Sequence, residues 1–189
     1  MKKTILLLLA LVALQAHAQF TYSVKAGWSW LDIKNNLLTF APSSGITVGG
    51  AIDYNFNGYL GLQAGLNYKR TIEYYTYEGG RLYENPAFKR EVFSANIPLL
   101  LTASVIQKPE RWRAIWNVGP YVDLPIVTKG RLADDEKIAF GIMAALQIEV
   151  LSHYFVRGEY QWALTSDIKE DWDEDRRANM VSVSLGYRF

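Results

Sequence analysis

The chain has 189 residues, a formal net charge of +1 and no cysteine. This near-neutral balance provides no basic field of the kind that binds nucleic acid. The lack of cysteine excludes thiol chemistry and cysteine-based metal sites, and beyond the first 18 residues no apolar run is long enough for a transmembrane helix.

The first 18 residues have the pattern of a secretory signal peptide. Two lysines precede an apolar run over 5–14, and the sequence AHA at 16–18 gives the small-x-small pattern that signal peptidase reads. We expect cleavage before Gln19, which leaves residues 19–189 as a single domain. Loss of the two lysines changes the formal charge from +1 to −1.

Eight later segments alternate apolar and polar residues, which is typical of strands with one apolar face and one polar face. Each is about ten residues long, the length of a tilted strand that crosses a membrane. Their pattern predicts an all-β fold, an eight-stranded antiparallel up-and-down transmembrane β-barrel. In chain order the segments lie at 22–30, 46–56, 60–69, 93–101, 112–123, 138–149, 154–164 and 181–189.

The connections between these segments alternate in length, as in outer-membrane barrels. Both termini and the short turns are therefore expected on the periplasmic side, and the four long loops outside. The short links are Asn57-Gly58, 107–110 and 151–153, and the long ones are 32–44, 71–90, 125–136 and 165–177.

Pro98 fits poorly in the middle of the fourth segment. Proline lacks the N–H that a neighbouring strand needs, and a closed barrel has no free edge to accommodate it. We therefore expect a β-bulge or a local shift of register at Pro98.

Alternation alone does not assign the two faces, and a soluble barrel would place the apolar side chains inside, around a ligand. The polar set favours the opposite arrangement, because its many glycines suit a narrow lumen and its charges of both signs can pair there. Trp and Tyr near segment ends are typical of membrane-interface belts. We predict interior ion pairs among Lys25, Asp53, Arg113, Asp123, Glu149, Arg157, Glu159 and Arg188.

The mature chain resembles the PorT-like outer-membrane β-barrel proteins of the Bacteroidetes group. The resemblance implies an outer-membrane location and a small barrel, and it implies no reaction; PorT itself is associated with protein secretion. The terminal Phe189 resembles the signal read by the barrel-assembly machinery. The motifs that carry the resemblance are Ile97-Pro98-Leu99-Leu100-Leu101, Val118-Gly119-Pro120-Tyr121-Val122, Arg157-Gly158-Glu159-Tyr160 with Ala163-Leu164-Thr165, and Ser184-Leu185-Gly186-Tyr187-Arg188-Phe189.

Two groups of polar residues suggest chemistry, but a structural interpretation is favoured for each. Ser152 and His153 could belong to a lipid-modifying enzyme, yet they are sequence neighbours in a predicted turn. Six acids within 167–175 could bind Ca²⁺, but their spacing lacks the pattern of an EF-hand loop, and nearby basic residues offset their charge.

The 71–90 connection is the best candidate for contact with a protein partner. Tyrosine and arginine are frequent in recognition surfaces. The same segment is equally consistent with a plain hairpin that continues the third and fourth predicted strands, with Gly79-Gly80 at its tip. The candidate contact residues are Tyr74, Tyr75, Tyr77, Arg81 and Tyr83.

Together these features predict a non-enzymatic structural or recognition protein of the bacterial outer membrane, without a cofactor, a metal site or a nucleic-acid partner. The expected partners are outer-membrane lipid, the barrel-assembly machinery during biogenesis and a protein bound at the outer loops. The alternatives are an accessory role in protein secretion and a lipid-modifying enzyme.

The signal-peptide interpretation predicts the N-terminus of the mature protein. Because signal peptidase requires small residues at 16 and 18, we expect protein isolated from outer membranes to begin at Gln19. N-terminal sequencing together with the intact mass measures this directly. A mature chain that retains the apolar run over 5–14 would contradict the prediction.

Overall fold

A computed structural model of the protein describes residues 20–33, 44–57, 59–74, 76–78, 81–83, 89–108, 112–129, 138–165 and 178–189. The regular elements in these ranges are β-strands, and no helix among these residues is long and apolar enough to cross a membrane. The strands are β1 (Phe20–Ile33), β2 (Ser44–Asn55), β3 (Leu60–Tyr74), β4 (Thr76–Glu78), β5 (Arg81–Tyr83), β6 (Lys89–Lys108), β7 (Trp112–Lys129), β8 (Ala139–Val150), β9 (Tyr154–Ala163) and β10 (Ala178–Arg188).

Eight of these strands form a closed antiparallel barrel in the order β1-β2-β3-β6-β7-β8-β9-β10, and β10 pairs back with β1. The short strands β4 and β5 pair only with each other and lie in the connection between β3 and β6. The predicted eight-stranded barrel is confirmed. Closure pairs both edges of the sheet, which an open sheet of this kind would expose.

The strand registers fix the width of the barrel. A row of paired residues that starts at Trp30 on β1 passes through every strand and returns to β1 at Phe20, ten residues earlier. This offset of ten residues is the shear of the barrel. With ordinary strand spacing and rise, eight strands and a shear of ten give a strand tilt of about 40° and a backbone radius of roughly 8 Å. Such a lumen is just wide enough to be filled by side chains.

We call the end of the barrel that carries the tight connections between β2 and β3, β6 and β7, and β8 and β9 the turn end, and the opposite end the loop end. Phe189 lies at the turn end, where its N–H donates to the carbonyl oxygen of Tyr22 at 2.8 Å. The short turn at 151–153 is confirmed, and β6 continues to Lys108 before the link to β7.

The barrel wall is taller on one side than the sequence pattern indicates. β3, β6 and β7 have 15, 20 and 18 residues, whereas the other barrel strands have 10 to 14. The expected loops at 71–90 and 125–136 therefore begin as strand, and pairing extends to Tyr74↔Lys89 and Glu91↔Lys129. The boundaries were placed too early because a strand remains paired after its apolar alternation stops.

The apolar face points outward and the polar face inward, as predicted. Val48, Leu66 and Leu185 on the outer face are each more than half exposed, whereas Lys69, Asn96 and Arg157 are almost completely buried. A soluble protein rarely exposes so large an apolar surface. The outer wall therefore suits hydrocarbon.

Aromatic side chains form two belts on this outer face, the arrangement of a membrane-spanning barrel. Tyr22 and Trp30 on β1 are eight residues apart, which places the belts about 20 Å apart along the axis. Rings in each belt touch one another, for example Tyr54 with Phe56 at 5.4 Å and Tyr160 with Trp162 at 4.3 Å between centroids.

The expected bulge at Pro98 is wrong. The register is the same on both sides of Pro98, and the irregularities between β6 and β7 lie instead at Phe93/Ser94 and Ser104/Ile106. The β3–β6 ladder is interrupted between Ala64↔Leu99 and Asn67↔Asn96, the stretch that contains Pro98, which is consistent with the missing N–H of proline. Pro98 points inward, and a Cβ added to Gly65 would lie 3.0 Å from its ring, so the glycine makes room for it.

The β8–β9 turn has an unusual backbone. Leu151 and Ser152 have φ angles of 53° and 61°, and the N–H of His153 donates to the carbonyl oxygen of Val150 at 3.3 Å. Two consecutive residues with positive φ are typical of a two-residue hairpin turn that asparagine and glycine favour. A leucine in this conformation is strained.

Replacing Leu151-Ser152 with Asn-Gly should raise the free energy of unfolding by about 1 kcal/mol, because both residues adopt positive φ at lower cost. The midpoint of urea unfolding in lipid vesicles measures the change. Leu151→Ala is the matched control, since it removes the exposed side chain without relieving the backbone. An equal gain in both variants would show that backbone strain is not the cause.

Candidate functional site

The polar side chains of the lumen lie in three tiers between the turn end and the loop end. In the lowest tier Glu149 Oε2 accepts hydrogen bonds from Arg113 at 2.7 Å and from Arg188 at 3.0 Å. Arg188 also donates to Thr21 Oγ1 at 2.6 Å. Thr21 and Arg188 lie near the two ends of the described chain, so this tier ties the barrel closure between β1 and β10 to β7 and β8.

The middle tier is centred on Glu159, whose side chain is almost fully buried. Glu159 Oε1 forms salt bridges with Lys25 and with Arg157 Nε, the latter at 2.6 Å, and its Oε2 accepts from Ser182 at 3.1 Å. Arg157 also donates to Gln63 Oε1 at 2.8 Å. A buried carboxylate between two cations satisfies the rule that buried charges are paired and hydrogen-bonded.

The upper tier, nearest the loop end, is built around Lys69. Its Nζ donates to Asp123 Oδ2 at 2.8 Å and to Gln161 Oε1 at 2.7 Å, so one ammonium joins β3, β7 and β9. Asn67 donates to Asn96 Oδ1 at 3.2 Å in the same tier. Each tier therefore joins strands that are not neighbours in the sheet.

Apolar side chains fill the space between these tiers. Leu100, Tyr121 and Met143 form a buried cluster inside the lumen. The rings of Tyr121 and Phe155 lie directly over glycines on the neighbouring strands. A Cβ added to Gly141 would meet the Tyr121 ring at 2.5 Å, and one added to Gly186 would meet the Phe155 ring more closely still.

Most of the inward-facing side chains named above are almost completely buried, because they pack against one another inside the lumen. A small cavity lined by residues including Lys25, Gln63, Asn67 and Arg157 has space for about one water molecule. The described part of the lumen is therefore a packed core and not an aqueous channel.

The structure brings together most of the residues for which the sequence predicts interior ion pairs. Lys25, Arg157 and Glu159 form one group, and Arg113, Glu149 and Arg188 form another. Asp53 and Asp123 find other partners: Asp53 accepts from Gln63 Nε2 at 2.7 Å, and Asp123 pairs with Lys69. Gln63, Gln147 and Gln161 share the inward parity of these charged residues, but the predicted ion-pair set did not include them as hydrogen-bond partners.

His153 and Ser152 lie in the exposed β8–β9 turn. The Nδ1 atom of His153 is 2.9 Å from the carbonyl oxygen of Leu151, and its ring packs on Tyr187 at 5.5 Å between centroids. These contacts fit a turn residue at the membrane interface. Within the described ranges, no three His, Cys, Asp or Glu side chains are placed to hold a metal ion.

The predicted contact residues of the 71–90 connection follow the hairpin. Tyr74 ends β3, Tyr77 lies in β4, and Arg81 and Tyr83 lie in β5, whereas Tyr75 is outside the described residues. Tyr77 pairs with Leu82 and Thr76 with Tyr83. The hairpin expected here is confirmed, and its glycine tip is outside the described residues, as is the acidic run 167–175.

Phe189, the proposed assembly signal, is 69% exposed at the turn end. Its ring contacts Tyr187 edge to face at 5.1 Å between centroids, and the ring of Tyr187 contacts Tyr154 in the same way at 5.3 Å. The terminal ring thus belongs to the lower aromatic belt and faces outward.

Comparison with known proteins identifies a family. The family profile described as "Outer membrane protein beta-barrel domain" matches residues 4–189. No curated protein matches the chain significantly.

Among the solved structures that resemble the fold are two bacterial outer-membrane proteins. The attachment invasion locus protein Ail of Yersinia pestis is 13% identical, with a TM-score of 0.51 over 90% of this chain and 99% of Ail. The outer membrane protein OprG from Pseudomonas aeruginosa is 11% identical, with a TM-score of 0.50 over 90% of this chain and 96% of OprG. At this identity the similarity extends to the fold alone.

Glu159→Gln should lower the free energy of unfolding by about 3–5 kcal/mol, because it leaves Lys25 and Arg157 buried without a counter-charge. Glu91→Gln is the matched control: Glu91 pairs with Arg70 on the outer wall, where the Arg70 side chain is 43% exposed, so its loss should cost less than about 1 kcal/mol. Urea unfolding in lipid vesicles measures both. Equal losses would contradict the central role of the middle tier.

Proposed function

The chain belongs to the outer membrane protein β-barrel domain family, and from that premise we propose that it is a non-enzymatic recognition protein of the bacterial outer membrane. It would present the β4–β5 hairpin at the loop end and contact its partner there. The barrel serves as the membrane anchor of this hairpin. Residues 1–18 direct export, and Phe189 contacts the barrel-assembly machinery during insertion.

The one-sided height of the wall is the observation that carries this proposal. Among the described residues, β3, β6 and β7 extend past the other strands, and the β4–β5 hairpin lies in the connection between β3 and β6. Continuous pairing up to Tyr74↔Lys89 makes this part of the rim a paired sheet and not a flexible loop. A preorganised surface loses less conformational entropy on binding than a mobile loop does.

The filled lumen argues against transport as the main role. Three tiers of hydrogen-bonded polar groups and the cluster of Leu100, Tyr121 and Met143 occupy the space through which a solute would pass. What such a barrel offers to its surroundings is its outer wall and its rims.

The composition of the hairpin suits recognition. The segment from 74 to 83 contains four tyrosines and Arg81. Tyrosine provides a large contact area with few rotatable bonds, and arginine provides several hydrogen-bond donors, so both are frequent among the residues that dominate binding energy.

Two other functions remain as alternatives. A lipid-modifying enzyme would need His153, whose ring is packed on Tyr187 in the turn. An accessory role in protein secretion is supported by the PorT-like motifs, of which the Ile97–Leu101 run lies within β6. A role in secretion can be distinguished from recognition by the phenotype of a deletion strain, because loss of a secretion component would leave cargo in the periplasm.

The hairpin can be removed without disturbing the barrel, because Tyr74 and Lys89 are directly paired. Replacing residues 75–88 with Asn-Gly joins this pair by a two-residue turn. We expect the variant to insert and fold normally but to lose the proteins that co-purify with the wild type from outer membranes. Quantitative mass spectrometry of crosslinked complexes measures the loss.

Two matched variants make this test specific. Substituting serine for Tyr75, Tyr77 and Tyr83 retains the length of the hairpin and should also abolish partner capture, whereas shortening 34–43 at the same end should not. Capture that survives removal of the hairpin would contradict recognition at this site. Cargo that accumulates in the periplasm of a deletion strain would favour the secretion role instead.

A further inference from the structure

A charged cluster lies on the outer face of the tall side of the wall. Arg70 on β3, Lys89, Glu91 and Phe93 on β6, and Lys129 on β7 occupy positions of the outward-facing register. The directly paired residues are Arg70↔Phe93 and Glu91↔Lys129, so the five positions are neighbours on one patch. Charged residues at outward positions of a membrane barrel are costly where they face hydrocarbon, so their presence here requires an explanation.

The cations are gathered around one aromatic ring. Arg70 Cζ lies 5.8 Å and Lys129 Nζ 5.5 Å from the centroid of the Phe93 ring, within the range of cation–π contacts. Arg70 also forms a salt bridge with Glu91. No salt bridge to a described carboxylate is present at Lys89 or Lys129, so among the described side chains three cations face one acid.

The height of the cluster coincides with the edge of the upper aromatic belt. Phe93 contacts Tyr68 at 6.1 Å between centroids, and Tyr68 follows the apolar Leu66 along the outer face of β3. The charges therefore begin one position above the last belt ring. In a membrane this level belongs to the lipid headgroups, since Tyr and Trp belts mark the boundary of the hydrocarbon.

We propose that this patch binds the phosphate of an outer-leaflet membrane lipid. Arg70, Lys89 and Lys129 would contact the phosphate oxygens, and the acyl chains would lie along the apolar wall below, beside Leu66 and Tyr68. Guanidinium and ammonium groups are the usual protein partners of phosphate. The loop end faces outward in barrels whose short turns and termini are periplasmic, which places the patch in the outer leaflet.

A lipid fits this patch better than a protein or a nucleic acid does. The cations are continuous with an apolar wall that only a membrane covers, and a ligand that carries both an anionic head and hydrocarbon tails complements both parts. The proposal concerns the one patch that these five described positions form on β3, β6 and β7.

Native mass spectrometry of the full mature chain in a neutral detergent tests this proposal, with diphosphorylated lipid A as the probe. Wild type should bind this lipid at least about tenfold more tightly than the same lipid without phosphates. The double variant K89Q/K129Q should weaken binding by about fivefold per lost cation, because each basic residue near an anionic surface contributes an interaction of that size. Added NaCl should weaken wild-type binding.

Three controls distinguish a lipid-phosphate site from general charge effects. K89R/K129R keeps both charges and should bind like wild type. E91Q removes the competing carboxylate and should bind more tightly. Inorganic phosphate at millimolar concentration should not displace the lipid, because it lacks the acyl chains that contact the wall.

The proposal is wrong if dephosphorylated lipid binds as tightly as the phosphorylated form, if K89Q/K129Q binds like wild type, or if inorganic phosphate alone displaces the lipid. Urea unfolding of each variant verifies that the barrel is intact. This test is independent of the hairpin, so its failure leaves the proposed recognition role unaffected.

Discussion

The narrow lumen is the constraint on which the rest of the structure depends. Eight strands with a shear of ten enclose a cylinder of roughly 8 Å backbone radius, too narrow for bulk water once side chains point inward. The outer wall is apolar, so inward-facing charges must be neutralised within that space. Glu159 between Lys25 and Arg157, Glu149 between Arg113 and Arg188, and Lys69 with Asp123 are the outcome. Unpaired charges there would cost several kcal/mol each.

Much of this fold could be predicted from sequence because successive side chains of a strand point to opposite faces, so that the pattern repeats every two residues. Alternation assigns every residue to one of two faces, and the length of each segment indicates a tilted membrane strand. Two kinds of feature were not predictable in this way. Pro98 keeps the register because Gly65 opposite makes room for its ring, and Leu100 breaks the alternation because it joins Met143 inside the lumen. Both depend on the strands that lie beside or across from them.

The sequence also could not predict which inward-facing charges form ion pairs with one another. Alternation places Lys25 and Glu159 inside, but they lie on β1 and β9, with β10 between them. Their contact follows from the register around the whole barrel, which no single segment encodes. Lys69 shows the same effect, since it reaches Asp123 on β7 across β6. Sequence therefore identifies which charges face the lumen, and closure of the barrel decides which of them meet.

The side of the wall formed by β3, β6 and β7 carries both surfaces that are proposed to bind partners, and the filled interior explains why such surfaces lie outside. Once the lumen is filled, side chains inside contribute to stability, and what remains for interaction is the outer wall and the rim. β3, β6 and β7 extend above the upper belt, and the same extension holds both the β4–β5 hairpin and the cluster around Phe93. A lipid bound at that cluster would hold the membrane surface at the level where β3 and β6 lead into the hairpin. Recognition and lipid contact would then lie on the same side of the barrel, because the hairpin connects β3 and β6, the strands that carry Arg70 and Glu91.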